Sequence, residues 1–197
     1  PLAAGGVSVA AYIMVSMAMY GAMMSATQTG AAVALERTQG WSRQLRLTPL
    51  NPLVNIIIKM IAGMVLGLLA VVATYAAGAI SGIQLSAAQW IGTGLVGWVL
   101  ASAVFTTLGL FVGYLMPSEN AAQVTSLIVV FLSFLGGLFY PLSSMPDFMQ
   151  TIAKFTPVYG IGEHARSPLT GESFDVMWLV NALVWLVLFI AGTTWAF

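Results

Sequence analysis

Long apolar runs alternate with short polar connections along this 197-residue chain. Five windows stay apolar for about 20 residues or more, enough for a helix rising ~1.5 Å per residue to cross a ~30 Å hydrocarbon core. They run from about 5 to 34, 53 to 80, 88 to 115, 121 to 140 and 176 to 197, and the one charge among them is Lys59 in the second. A segment in lipid must satisfy its own backbone donors and acceptors, so each window is predicted to be a helix. The roughly ten-residue alternation of apolar and polar positions that marks a barrel strand is not present. The fold class read from this pattern is all-α: a polytopic membrane helix bundle, one domain over 1–197 with five spanning helices.

The connections differ in kind. The first, Glu36 to Pro52, is polar and holds Arg37, Arg43 and Arg46; the second, Ser81 to Ala87, is short and uncharged. The third, Met116 to Asn120, carries Pro117 and Glu119, and the fourth, Pro141 to Asp175, is long and mixed. Lysine and arginine near a span favour the cytoplasmic side. Counting Lys59, the first connection holds four of the six basic residues, which places it inside, with the third. The second and fourth then lie outside, and the chain starts outside and ends inside. A subunit with both ends in the cytoplasm has six spanning helices, so one more helix is expected before Pro1. The apolar start without methionine agrees with an N-terminally truncated chain.

Composition narrows the function. The chain is 59% hydrophobic and 6% charged, where a soluble domain is about 45–50% apolar and about 25% charged. Net charge is zero, which offers no surface for nucleic acid, and there is no cysteine to form a thiolate metal site or nucleophile. His164 is the single histidine, and metal sites need several ligands. Asp147, Glu163, Glu172 and Asp175 show no spacing that suits acid–base catalysis. No G-x-x-x-x-G-K-[ST] loop is present, so the chain is not expected to bind ATP or to act as an enzyme. Ionisable groups inside a membrane usually mark ion or proton pathways, and the window centres hold almost none, which argues against an ion-coupled carrier. Lys59 is close enough to a helix end to snorkel to the headgroups. Uncharged polar residues remain, among them Ser16, Thr27, Gln28, Thr74, Thr106, Thr107, Ser126, Ser133 and Asn181. They either line a path or bond between helices, and the second reading is preferred. Gly63/Gly67, Gly78/Gly82 and Gly109/Gly113 form G-x-x-x-G pairs, read as close helix packing. The methionines at 14, 17, 19, 23 and 24 are read as packing and lipid contact.

The stretch from Leu35 to Pro52 is too polar to span and too apolar for a plain linker. Trp41 and Leu45 are four apart and Arg43 and Arg46 three apart, which gives one apolar and one basic helical face. Pro49 and Pro52 stop helical continuation, so a short amphipathic helix ending near Thr48 is predicted at the membrane surface. Spacing alone leaves open whether it fixes orientation or docks a partner. The run Glu36-Arg37…Gly40…Gln44-Leu45-Arg46-Leu47-Thr48-Pro49-Leu50 resembles the E-R-x-x-G-x-x-x-x-L-x-x-T-P-L signature of type-2 ABC exporter permeases, most closely the daunorubicin- and linearmycin-resistance branch. That resemblance implies a coupling helix, over about 35–52, that docks on a separate ATPase. It assigns the coupling role to Glu36, Arg37, Gly40, Trp41, Arg43, Leu45, Arg46, Thr48 and Pro49.

A second stretch, from Gly136 through Tyr140-Pro141, Met145-Pro146, Phe155-Thr156-Pro157 and Glu163-His164-Ala165-Arg166, resembles the external region after the fifth helix of these permeases. The resemblance implies short re-entrant helices over 141–175 that cap the exit, with Tyr140, Pro141, Met145, Pro146, Pro157, Glu163 and Arg166 at the cap. It further implies a bacterial plasma-membrane protein whose partners are a cytoplasmic ABC ATPase subunit, a second permease copy or close homologue, and membrane lipid. ATP and Mg would sit on the partner, with no cofactor in this chain. The cargo would be a hydrophobic or amphipathic small molecule such as a drug, an antibiotic or a lipid-like compound. The alternatives are an ATP-independent channel or secondary carrier, and a non-transporting membrane assembly protein.

Overall fold

The computed structural model describes residues 8–40, 52–116, 118–171, 173 and 175–196. Among these residues the elements are helices, with no strand. α1 spans Val9–Ala31, α2 Val33–Thr38, α3 Pro52–Ile80, α4 Ala87–Leu115 and α5 Ala121–Leu135. A 3-10 turn at Leu142–Ser144 leads into α6, Asp147–Ala153, then α7, Pro157–Thr170, and α8, Val176–Ala196. Among the described residues four helical stretches are long and apolar enough to cross a membrane: Val9–Thr38 (α1 with α2), Leu53–Ile80, Ala87–Leu115 and Val176–Ala196.

α5 is the shorter apolar helix. Its 15 residues reach ~22 Å, against the ~30 Å of a hydrocarbon core. The window predicted to run to 140 therefore leaves the helix at Leu135. The reason is local: Gly137 takes a φ of 74°, a left-handed backbone that favours glycine, and the Val158 side chain fills the space a Cβ on Gly136 would need. The apolar residues beyond it pack differently, with the Phe139 ring edge-on to Tyr20 at 5.1 Å between centroids.

α4 is the axis of the bundle, packed against α1, α3, α5, α7 and α8. From Ala101 to Leu110 every residue is buried, and most of them are small or carry a hydroxyl. Without a hydrophobic drive between helices in lipid, close backbone approach must supply the packing. It does so at Gly30 of α1 and Gly109 of α4: a Cβ on either would strike the backbone of the other helix, at Thr106 and Thr27 respectively. Gly63 and Gly67 of α3 receive the side chains of Thr106 and Ser102, and Gly113 lies against Ala31 and Val33. Two of the three predicted glycine pairs thus form helix seams. The third divides: Gly78 meets Met14, whereas Gly82 turns the chain after α3 with φ 79° and touches nothing within 4 Å. Met14, Met19 and Met23 are buried in the core, and Met17 is exposed.

The buried hydroxyls depart from their expected role between helices. Thr27, Thr74, Thr106, Thr107 and Ser133 each donate to a backbone carbonyl of their own helix, three or four residues back. That habit satisfies a hydroxyl in an apolar setting without a partner helix. Gln28 does bridge, donating from Nε2 to Ser126 Oγ at 2.6 Å and to the Ala122 carbonyl at 3.1 Å, and so ties α1 to α5.

The connections alternate between the two ends, as the spans predict. Tyr114 at the end of α4 meets both Arg37 of α2 and Asn55 near the start of α3. At the opposite end Gln89 at the start of α4 donates to the Pro168 carbonyl of α7, and Ser86 and Gln89 form a capping box.

Candidate functional site

Two groups of charged side chains, one at each end, organise what the bundle can do. The first grows from α2. This helix of six residues ends at Gln39, and Gly40 follows with φ 80°, its N–H donating to the Arg37 carbonyl at 3.1 Å. A glycine just past a helix accepts that left-handed backbone at no steric cost. Glu36 and Arg37 sit in the last turn of α2, and both reach back to other helices. Glu36 Oε1 pairs with Lys59 Nζ of α3. Arg37 Nη1 donates to the Tyr114 carbonyl of α4 at 2.6 Å, and its Cζ lies 5.4 Å from the centre of the Tyr114 ring. Asn55 Nδ2 donates to the Tyr114 hydroxyl at 2.8 Å. Adjacent residues of α2 thus reach two different long helices. Lys59 is held by a carboxylate rather than lying free toward headgroups. Trp41, Arg43, Leu45, Arg46, Thr48 and Pro49 lie outside the described residues.

The second group caps the opposite end. Thr156 Oγ1 accepts from the Tyr159 N–H at 3.3 Å and Pro157 occupies the first turn, a strong start for α7. On α7, Arg166 Nη2 donates to Glu163 Oε1 at 2.7 Å, and the Arg166 side chain is almost fully buried. Its Cζ stands 5.1 Å from the centre of the Tyr12 ring of α1. Arg166 Nη1 has no hydrogen-bond acceptor among the described residues. Burial pushes the His164 imidazole below its ordinary value. Met145 is buried after the 3-10 turn, whereas Tyr140, Pro141 and Pro146 are exposed. Of the residues predicted at the cap, Pro157, Glu163 and Arg166 share α7, and the other four lie on the stretch leading to it.

Tyr114, Asn55 and Tyr12 were not legible as partners. Asn55 and Lys59 could have been paired, since four residues along a helix return to the same face. Tyr114 and Tyr12 offer no local signal, because aromatic residues near span ends are common for interfacial reasons alone. Among the described residues no group of three or more histidine or acidic side chains could hold a metal ion.

Apolar helices of spanning length, with charge confined to the two ends, define a multi-pass membrane protein. Comparison with known proteins makes this specific. Residues 3–169 match the family model of the ABC-2 type transporter, and the chain belongs to that family. It is 32% identical over 182 residues to a putative transport permease, YvfS, of Bacillus subtilis (strain 168), covering 91% of this chain and 74% of the relative. It is also 32% identical over 191 residues to nodulation protein J of Rhizobium leguminosarum bv. trifolii, covering 91% of this chain and 69% of that protein. A permease of this family works in general with a separate ATPase subunit.

Proposed function

We propose that the chain is the membrane-spanning subunit of an ATP-driven exporter that moves a hydrophobic or amphipathic compound out across a bacterial plasma membrane. In this reading the stretch over about 35–52 is the coupling segment, on the cytoplasmic side, with Arg37, Arg43 and Arg46 holding its position and Trp41 and Leu45 supplying apolar contact to the ATPase. The observation that carries the proposal is the anchoring of Glu36 and Arg37. A push on the segment beyond Gly40 would reach α3 through Lys59 and α4 through Tyr114. α4 in turn touches each of the other long helices of the bundle, so a small displacement there is felt throughout. A second copy of the chain, or a close homologue, completes the path, and the daunorubicin- and linearmycin-resistance branch is the expected relation. Capping of the outer end by α6 and α7 fits a route that opens outward.

The test is co-purification with a Walker-motif ATPase encoded beside this chain, followed by ATP hydrolysis measured with amphipathic drugs. Binding and drug-stimulated hydrolysis are expected, with both lost in Trp41→Ala and Leu45→Asp. Transport that persists without any ATPase, or intact coupling in both variants, would overturn the proposal.

A further inference from the structure

A groove of about 560 Å³ runs between the α6–α7 junction and the first half of α8. Its water end carries Lys154 and Asp175; deeper in, it is walled by Phe155, Trp178, Trp185 and Leu188. The walls are fixed by two hydrogen bonds across the groove. Asn181 Nδ2 donates to the Lys154 carbonyl at 3.0 Å, and Trp185 Nε1 donates to the Phe155 carbonyl at 2.9 Å. The indole and amide are thus held in place, and the space between the elements does not depend on a ligand to stay open.

From the structure we infer that this groove is a binding site for one zwitterionic phospholipid of the outer leaflet. Three observations support that occupant. α8 is a spanning helix whose Val184 and Leu188 are exposed, so the apolar part of the groove opens into lipid. Met177 to Leu188 covers ~16 Å of helix, close to the ~15 Å depth of a single leaflet's hydrocarbon. The two charges at the water end are of opposite sign, and the Lys154 ammonium has no ion-pair partner among the described residues. A headgroup offers a phosphate to Lys154 and an ammonium to Asp175, whose Oδ1 already accepts the Met177 N–H at 2.8 Å, while tryptophans at this level suit the membrane–water boundary. A water-soluble ligand would leave the lower, aliphatic half of the groove unused. The choice of leaflet rests on the cytoplasmic placement of the coupling segment in the proposed function; the lipid chemistry of the groove rests on the membrane-spanning fold alone.

The experiment uses the purified chain in nanodiscs of equimolar phosphatidylethanolamine and phosphatidylglycerol, released into mild detergent for native mass spectrometry. One phosphatidylethanolamine per chain is expected to be retained in preference to phosphatidylglycerol. Asp175→Asn should weaken retention of phosphatidylethanolamine alone, about fivefold, the worth of one exposed ion pair. Lys154→Gln should weaken both lipids to a similar extent, because both carry the phosphate, and Val184→Trp should fill the groove and abolish retention. All three positions are exposed, so the fold should survive the changes. Equal retention of the two lipids with no response to Asp175→Asn would overturn the inference. So would disulfide formation between two copies carrying Val184→Cys in this cysteine-free chain, which would show a second protein molecule against the groove.

Discussion

Each end of the bundle is held by an arginine near a glutamate and over a tyrosine ring, yet the two are built to different strengths. At the cap, Arg166 is buried, its carboxylate partner is three residues away on the same helix, and only the ring contact reaches α1. At the other end Glu36 and Lys59 are partly exposed and join different helices, and Arg37 reaches a backbone carbonyl 77 residues away. A buried guanidinium cannot be exchanged for water without a large penalty, whereas the Lys59–Glu36 pair, with neither partner buried, can be. The cap is thus fixed in one state, and the end that leads into the segment 41–51 is held by contacts that can be remade. Under the proposed function, the difference separates a seal from a joint.

Four measurements would sharpen or break this contrast. The largest effect is expected for Arg166→Ala, which removes a charge-assisted hydrogen bond and the ring contact of a buried guanidinium and should cost about 3–5 kcal/mol in reversible unfolding in mixed micelles. Next comes Arg37→Ala, which removes one charge-assisted hydrogen bond and a ring contact at a half-exposed site, for about 1–3 kcal/mol. A loss greater than that of Arg166→Ala would reverse the contrast. Third, a double-mutant cycle over Glu36→Gln and Lys59→Met should give a coupling of about 1 kcal/mol or less that shrinks as salt rises. The smallest effect concerns pH. His164 has a native value below the ordinary 6.5, so the folded state holds the proton less tightly than the unfolded one. Stability should therefore be full above 6.5 and fall as pH drops from there toward the lowered native value, and His164→Gln should flatten that slope. A slope of opposite sign would place an acidic partner beside the imidazole.

Hydropathy made the long helices legible, because a ~30 Å core demands a run that few other structures need. It failed at α5, where Gly136 and Gly137 sit inside an apolar run whose average gives no sign of a turn. The Gly40 of the coupling signature was legible as a residue and is now explained as a backbone requirement. Glu36 and Arg37 were assigned to the coupling segment by resemblance, but their partners inside the bundle were not legible, because these lie 23 and 77 residues away. Distance along the chain hides such pairs from any local pattern. Ser126 bonds between helices as expected, but Thr27, Thr74, Thr106, Thr107 and Ser133 do not, because their partners lie within a single turn and no second helix is required.

The interlocked backbones of α1, α3 and α4 bear on how the protein comes into being. Residues 101–110 combine Val104, Phe105, Leu108 and Leu110 with alanines, threonines and a serine, a surface of uneven relief whose Ser102 and Thr106 need notches to pack against. The notches that shelter it are the glycines of α1 and α3, which the ribosome delivers first. The nascent chain thus carries a receptacle into the bilayer before α4 emerges to fill it.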